Sequence, residues 1–134
     1  MAYLFDSDQI IEVLDRAPGA VALMAGLAAE GIAISVVTYM EVYHGALRSG
    51  DPGAIPDFYE LAGRVSVLPF SVATARVCAE LRERLARDGH RVRGRALDLM
   101  NAAIALEHGL TLVTRNTRDY ADIPGLDVFA PTGS

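Results

Sequence analysis

The chain has 134 residues, 51% of them hydrophobic, and a net charge of −5 at pH 7. That length suffices for one domain with its own core, no apolar run approaches the roughly 20 residues needed to cross a bilayer, and a lone cysteine excludes an internal disulfide. All 12 basic residues are arginine, so a Walker-type phosphate loop and Schiff-base chemistry, which both need a lysine, are excluded.

Residues 3–5 read as a short buried strand running into Asp6, Ser7 and Asp8. The opening stretch lacks the basic start of a signal peptide, and with Cys78 as a buried small hydrophobe it predicts a cytoplasmic setting. Ile10, Ile11 and Leu14 recur at helical spacing up to Arg16. Pro18 suits the first turn of a second helix, whose apolar positions are Val21, Leu23, Met24 and Leu27. Gly31 closes that helix and Ile32 to Ile34 form a buried strand. Ser35 or Thr38 caps the next helix, which carries Glu41 and ends between Gly45 and Gly50.

After the turn at 49–53 comes a short helix over 55–61, then a third strand over 65–68 stopped by Pro69. Ser71 opens a long helix to about Arg87, with Val72, Ala75, Cys78, Ala79 and Leu81 assigned to its inner side. The loop 88–95 leads into a helix over 96–108 that Gly109 terminates, with Leu97, Met100 and Ile104 as its apolar stripe. A fourth strand follows over 110–114 and a fifth, at an edge, over 127–129. Strands alternating with helices predict parallel pairing, hence an α/β fold. The expected architecture is a three-layer α/β/α sandwich, its mainly parallel sheet of four or five strands forming a single domain over 1–134.

Acidic residues stand where this layout predicts a site. Asp6 directly follows a strand, at the end that faces the ligand crevice of a parallel sheet. Helix capping explains one carboxylate there, and with Asp8 present a second stays unexplained. Glu41 lies either at the third position of a capping box from Thr38 or, with Ser35 as cap, deeper in its helix and short of a partner. Asp98 and Asn101 share one side of the helix over 96–108, where Ala102, Ala103 and Ala105 allow close approach to the sheet; complementing the helix dipole is the plainer role for Asp98. Asn116 and Asp119 follow the fourth strand, where turn formation is the ordinary explanation and a fourth ligand position the functional one. Converging carboxylates repel unless a cation lies between them, and a hard divalent ion bound through oxygen suits that need.

Three stretches in order, YLFDSD at 3–8, SVVTYMEVYHGA at 35–46 and DLMNAAIALEHGLTLVTRNTRDY at 98–120 with IPGL at 123–126, resemble a PIN-domain ribonuclease of the VapC toxin type. The resemblance covers nearly the whole chain and implies a PIN-like fold and an endoribonuclease dependent on Mg²⁺, with Mn²⁺ as a substitute. It also implies a homodimer and inhibition by a VapB-type antitoxin in a heterotetramer or larger assembly. The three invariant acids of that family fall on Asp6, Glu41 and Asp98, and its variable fourth position falls on Asn116 or is supplied by Asp119. Asn101 replaces a usual apolar residue and is a candidate outer-shell hydrogen-bond partner.

Arg82, Arg84, Arg87, Arg91, Arg93 and Arg95 make 82–95 locally basic; the helical ones read as a solvated face, and Arg91, Arg93 and Arg95 as candidate RNA-phosphate contacts. His44 and His90 lack metal-ligand spacing, while His108 reads as a helix-end cation. Two other readings compete. A haloacid-dehalogenase-like phosphatase also begins with a strand and paired aspartates but needs a lysine, and a non-catalytic PIN-like protein or RNA-binding module is consistent with Asn116 in place of an acid.

Overall fold

The computed structural model describes residues 1–132. Five short strands form one parallel sheet in the order β3-β2-β1-β4-β5: β1 (Tyr3–Phe5), β2 (Ile32–Ser35), β3 (Ser66–Leu68), β4 (Thr111–Val113) and β5 (Val128–Phe129). The helices are α1 (Ser7–Leu14), α2 (Pro18–Leu27), α3 (Val36–Ser49), α4 (Ala54–Ala62), α5 (Val72–Arg87) and α6 (Ala96–His108). From β1 the chain steps outward to β2 and β3, then α5 and α6 carry it back to β4 on the other side of β1. The step direction reverses at β1 and β4, and in an open parallel sheet ligands bind outside the strand ends at such a reversal.

Successive side chains of a strand point to opposite faces, so each strand feeds two cores. Leu4, Ala33 and Leu112 pack with Leu81, Leu85, Leu99 and Ile104 from α5 and α6. Their chain neighbours Phe5, Ile34 and Val113 pack on the opposite face with Ile10, Val42 and Phe58 from α1, α3 and α4. This two-sided burial realises the three-layer α/β/α sandwich and accounts for strands without polar alternation. Gly109, at φ 65°, supplies the left-handed turn that ends α6 and sends the chain into β4.

Two helices depart from the expected faces. In α5 the buried residues are Thr74, Leu81 and Leu85 with Cys78 partly covered, whereas Val72 is 73% exposed and Ala75 and Ala79 also face out. The cause is the capping box: Ser71 and Thr74 bond each other reciprocally, and the Thr74 hydroxyl donates to Glu107 of α6, which sets the phase to 74, 78, 81 and 85. In α6, Leu99 and the run Asn101–Ala105 are buried, while Leu97 is exposed. Packed between the sheet and α5, that helix shows no single apolar stripe because nearly its whole girth is covered. A 3-10 turn over Thr117–Tyr120, not anticipated from the sequence, follows β4. No helix among the described residues is long and apolar enough to cross a membrane.

Candidate functional site

Asp6 sits at the carboxyl end of β1 with 6% exposure. One oxygen accepts from the Ser7 backbone N–H at 2.8 Å, capping α1, and from the Asn101 amide at 3.3 Å. The other accepts from the Thr114 hydroxyl at 2.8 Å and lies 3.3 Å from the Tyr120 hydroxyl. Capping and site placement are therefore one arrangement, since the helix start that Asp6 caps is the turn that leaves it at the strand end. Asp8 braces the neighbouring turn, accepting from the Arg115 backbone N–H at 2.9 Å, and its other oxygen is buried without a partner.

Ser35 ends β2 and caps α3: its hydroxyl oxygen accepts from the Thr38 backbone N–H at 3.0 Å. Glu41 consequently lies beyond the reach of a capping box, one turn further along α3. The Ser35 hydroxyl donates to the Asn101 carbonyl oxygen at 2.6 Å, and the Asn101 amide donates onward to Asp6. This fully buried relay ties α3, α6 and β1 together and gives Asn101 its place beside Asp6. Asp98 stands in the first turn of α6, half-buried, 3.2 Å from the Tyr120 hydroxyl. Glu41 and Asp98 line one side of a cavity of about 350 Å³ together with Gly94, Ala96 and Leu97.

Burial raises the carboxyl pKa of Asp6, and the charge of Asp98 adds to it against the opposing bonds from Thr114 and Ser7. Glu41 is more exposed, yet partial desolvation at the cavity mouth and then the charges of Asp6 and Asp98 raise its pKa as well. Asp98 is raised by desolvation and by Asp119, with the Tyr120 bond, Arg95 and Arg91 pulling the other way. Each of the three thus feels at least one other acid: Asp6 feels Asp98, Glu41 feels both, and Asp98 feels Asp119. Among the described residues, no three His, Cys, Asp or Glu side chains are grouped tightly enough to enclose a metal by themselves. The donors are all hard oxygens, and the cavity leaves room for retained water. Both suit Mg²⁺, which keeps several waters and takes only one or two carboxylates directly.

Asn116 is exposed at the start of the 3-10 turn, whereas Asp119 is half-buried within electrostatic reach of Asp98. Of the loop arginines, Arg91 and Arg93 are exposed, and the Arg91 charge reaches Asp98. Arg95 departs from its expected role at the RNA. It is buried, and its guanidinium grips both Asp122 oxygens at 2.8 and 2.7 Å and donates to the Arg91 and Asp119 carbonyls at 2.6 and 2.9 Å. Four of its five N–H groups are used, so it is a clamp between the loop and the 3-10 turn rather than a phosphate ligand. His90 joins that clamp, 3.4 Å from Asp122. Tyr120 is the residue that sequence reasoning passed over; a buried tyrosine hydroxyl needs a polar partner, and its position beside Asp119 was the available signal.

A family model for the PIN domain matches residues 3–126. Over 127 residues the chain is 32% identical to the tRNA(fMet)-specific endonuclease VapC of Shigella flexneri, covering 94% of this chain and 95% of that one. Among solved structures, VapBC2 from Rickettsia felis, bound to a DNA fragment from its promoter, superposes with a TM-score of 0.87 at 24% identity over 97% of this chain and 98% of that chain. A toxin-antitoxin complex from Klebsiella pneumoniae superposes with a TM-score of 0.79 at 26% identity, over 99% of this chain and 100% of that chain. Sequence and backbone agree along nearly the full length, and the chain therefore belongs to the PIN-domain family, on its VapC branch.

Proposed function

We propose that this protein is a metal-dependent endoribonuclease that hydrolyses RNA in the cytoplasm as the toxin of a toxin-antitoxin pair. The observation that carries the reading is that the Tyr120 hydroxyl stands 3.3 Å from Asp6 and 3.2 Å from Asp98, while Glu41 lines a cavity with Asp98 and feels the charge of both acids. Acids gathered in this way are in the arrangement that a divalent cation relieves. The VapC relative from Shigella flexneri supports the choice of an RNA substrate.

Asp6, Asp98 and Glu41 would hold Mg²⁺ or Mn²⁺, with Asp119 or Asn116 as a further oxygen donor. The bound cation would supply Lewis-acid polarisation of a phosphoryl oxygen and a water acidified enough to attack. Asp6 is fixed for this by donors from four different segments, so it holds its orientation without reorganising. Glu41, at the exposed mouth, is the acid best placed to meet an incoming water or substrate. Arg91, whose charge reaches Asp98, and the exposed Arg93 two positions on offer positive charge for the RNA backbone. In-line attack leaves a 5′-phosphate and a 3′-hydroxyl, with no part for the ribose 2′-hydroxyl.

The partner we infer is a VapB-type antitoxin bound to a homodimer of this chain in a heterotetramer or larger assembly. A groove of about 300 Å³ between α1, α3 and α4 supports it, lined by apolar Ile11, Leu14, Val42 and Ala46 and by acidic Asp15, Asp51 and Asp57. An amphipathic helix with basic flanks complements that surface. The deciding experiment is RNA cleavage by the purified protein with Mg²⁺, with EDTA, and as Asp6→Asn. The expected result is cleavage by the wild type with Mg²⁺ alone and 5′-phosphate ends. Absence of cleavage in every arm supports a binding module instead, and 2′,3′-cyclic phosphate ends contradict the metal mechanism.

A further inference from the structure

We infer that Tyr120 is a positioning residue of the acidic site, its hydroxyl setting the separation and orientation of Asp6 and Asp98. The inference rests on the metal-site reading above and goes beyond it, since Tyr120 itself need not touch a cation. Its ring is almost fully buried, with 2% exposure, in the core that α5 and α6 share with the sheet. That packing leaves the phenol little freedom. The hydroxyl stands 3.3 Å from one Asp6 oxygen and 3.2 Å from one Asp98 oxygen, between acids 92 positions apart in the chain (6 to 98).

Asp6 has three other donors, but among the described residues Tyr120 alone is hydrogen-bonded to the Asp98 carboxylate. Without the hydroxyl, Asp98 is an aspartate on the first turn of a helix with no bond to fix its rotamer. A phenol carries one hydrogen, so it serves one carboxylate at a time while keeping both oxygens turned toward a common point. The anchor behind it is also built. Arg95, the residue that precedes α6, donates to the Asp119 carbonyl and grips Asp122, so the turn carrying Tyr120 and the turn carrying Asp98 are held to one another. Groups of this kind, bonded to metal ligands rather than to the metal, typically change affinity by about 10–100-fold when removed.

The test is Tyr120→Phe, which keeps the ring and removes only the hydroxyl. Mn²⁺ binding is read by electron paramagnetic resonance, beside a thermal melt and separate kcat and KM values for RNA cleavage at saturating metal. We expect the Mn²⁺ dissociation constant to rise about tenfold. KM for RNA should change less than twofold, and the added loss should vanish when Tyr120→Phe is placed on Asp98→Asn. A Mn²⁺ affinity within twofold of the wild type, in a variant that stays folded, overturns the role of Tyr120 and leaves the metal reading intact. A wild type that binds no Mn²⁺ overturns both. Should Tyr120→Phe fail to fold, the wild type labelled with 3-fluorotyrosine answers the question by fluorine NMR. One buried signal of the five tyrosines should move on adding Mg²⁺ and stay still in Asp98→Asn, and five unmoved wild-type signals overturn the inference.

Discussion

The carboxylate of Asp122, just beyond the 3-10 turn in the chain, and those of the acidic site are treated in opposite ways. Asp122 is gripped by the Arg95 fork, and that bond lowers its pKa. Asp6, Glu41 and Asp98 have no comparable cation, and desolvation, with the charge of a neighbouring acid, raises each of theirs. The first is a finished structural joint. The second carries charge that no protein cation grips, which is how a binding site differs from a brace.

The most damaging substitution expected on the structural side is Arg95→Met. It strands Asp122 and two carbonyls, and urea unfolding should show a loss of about 3 kcal/mol; a loss below about 1 kcal/mol would dissolve the contrast. Ser35→Ala comes next. It removes the α3 cap and the partner of the Asn101 carbonyl, for about 1–2 kcal/mol by the same assay.

The pH dependence separates the groups by sign. A raised folded-state pKa means that the native acid holds its proton more tightly than the unfolded chain does, so the cluster weakens the metal-free fold as pH rises through those values. A lowered one means that Asp122 contributes stability above its ordinary pKa of 3.8 and loses it as pH falls further. Metal-free wild type should therefore gain stability relative to Asp98→Asn as pH falls from neutral toward the ordinary carboxylate value of 3.8, and parallel melting curves over that range would refute the assignment. The smallest effect belongs to the exposed loop. Arg91→Ala with Arg93→Ala should leave the melting temperature unchanged and reduce the slope of log binding constant against log salt by about 1–2 for RNA.

Legibility in the sequence followed the length scale of each interaction. The strand at 3–5, the α6 boundaries and the breaks at Gly31, Pro69 and Gly109 were readable because a few adjacent residues decide them. The faces of α5 and α6 were not, because a capping box joined to Glu107 sets one phase and near-complete enclosure hides the other. Arg95 shows the same limit. Its run of arginine neighbours suggested a phosphate contact, and only the fold revealed Asp122, 27 positions away, within reach of its guanidinium.

By itself the sequence determined the alternation of strands and helices, the absence of lysine chemistry, and which acids fall at strand ends and helix starts. Those follow from local backbone preferences and residue chemistry, which act within a few positions. The tertiary structure decided which oxygens are neighbours, which arginine is spent inside the protein, and that a tyrosine hydroxyl stands between two of the acids. Contacts between distant segments depend on how the two faces of the sheet are covered, and no short stretch of chain carries that information.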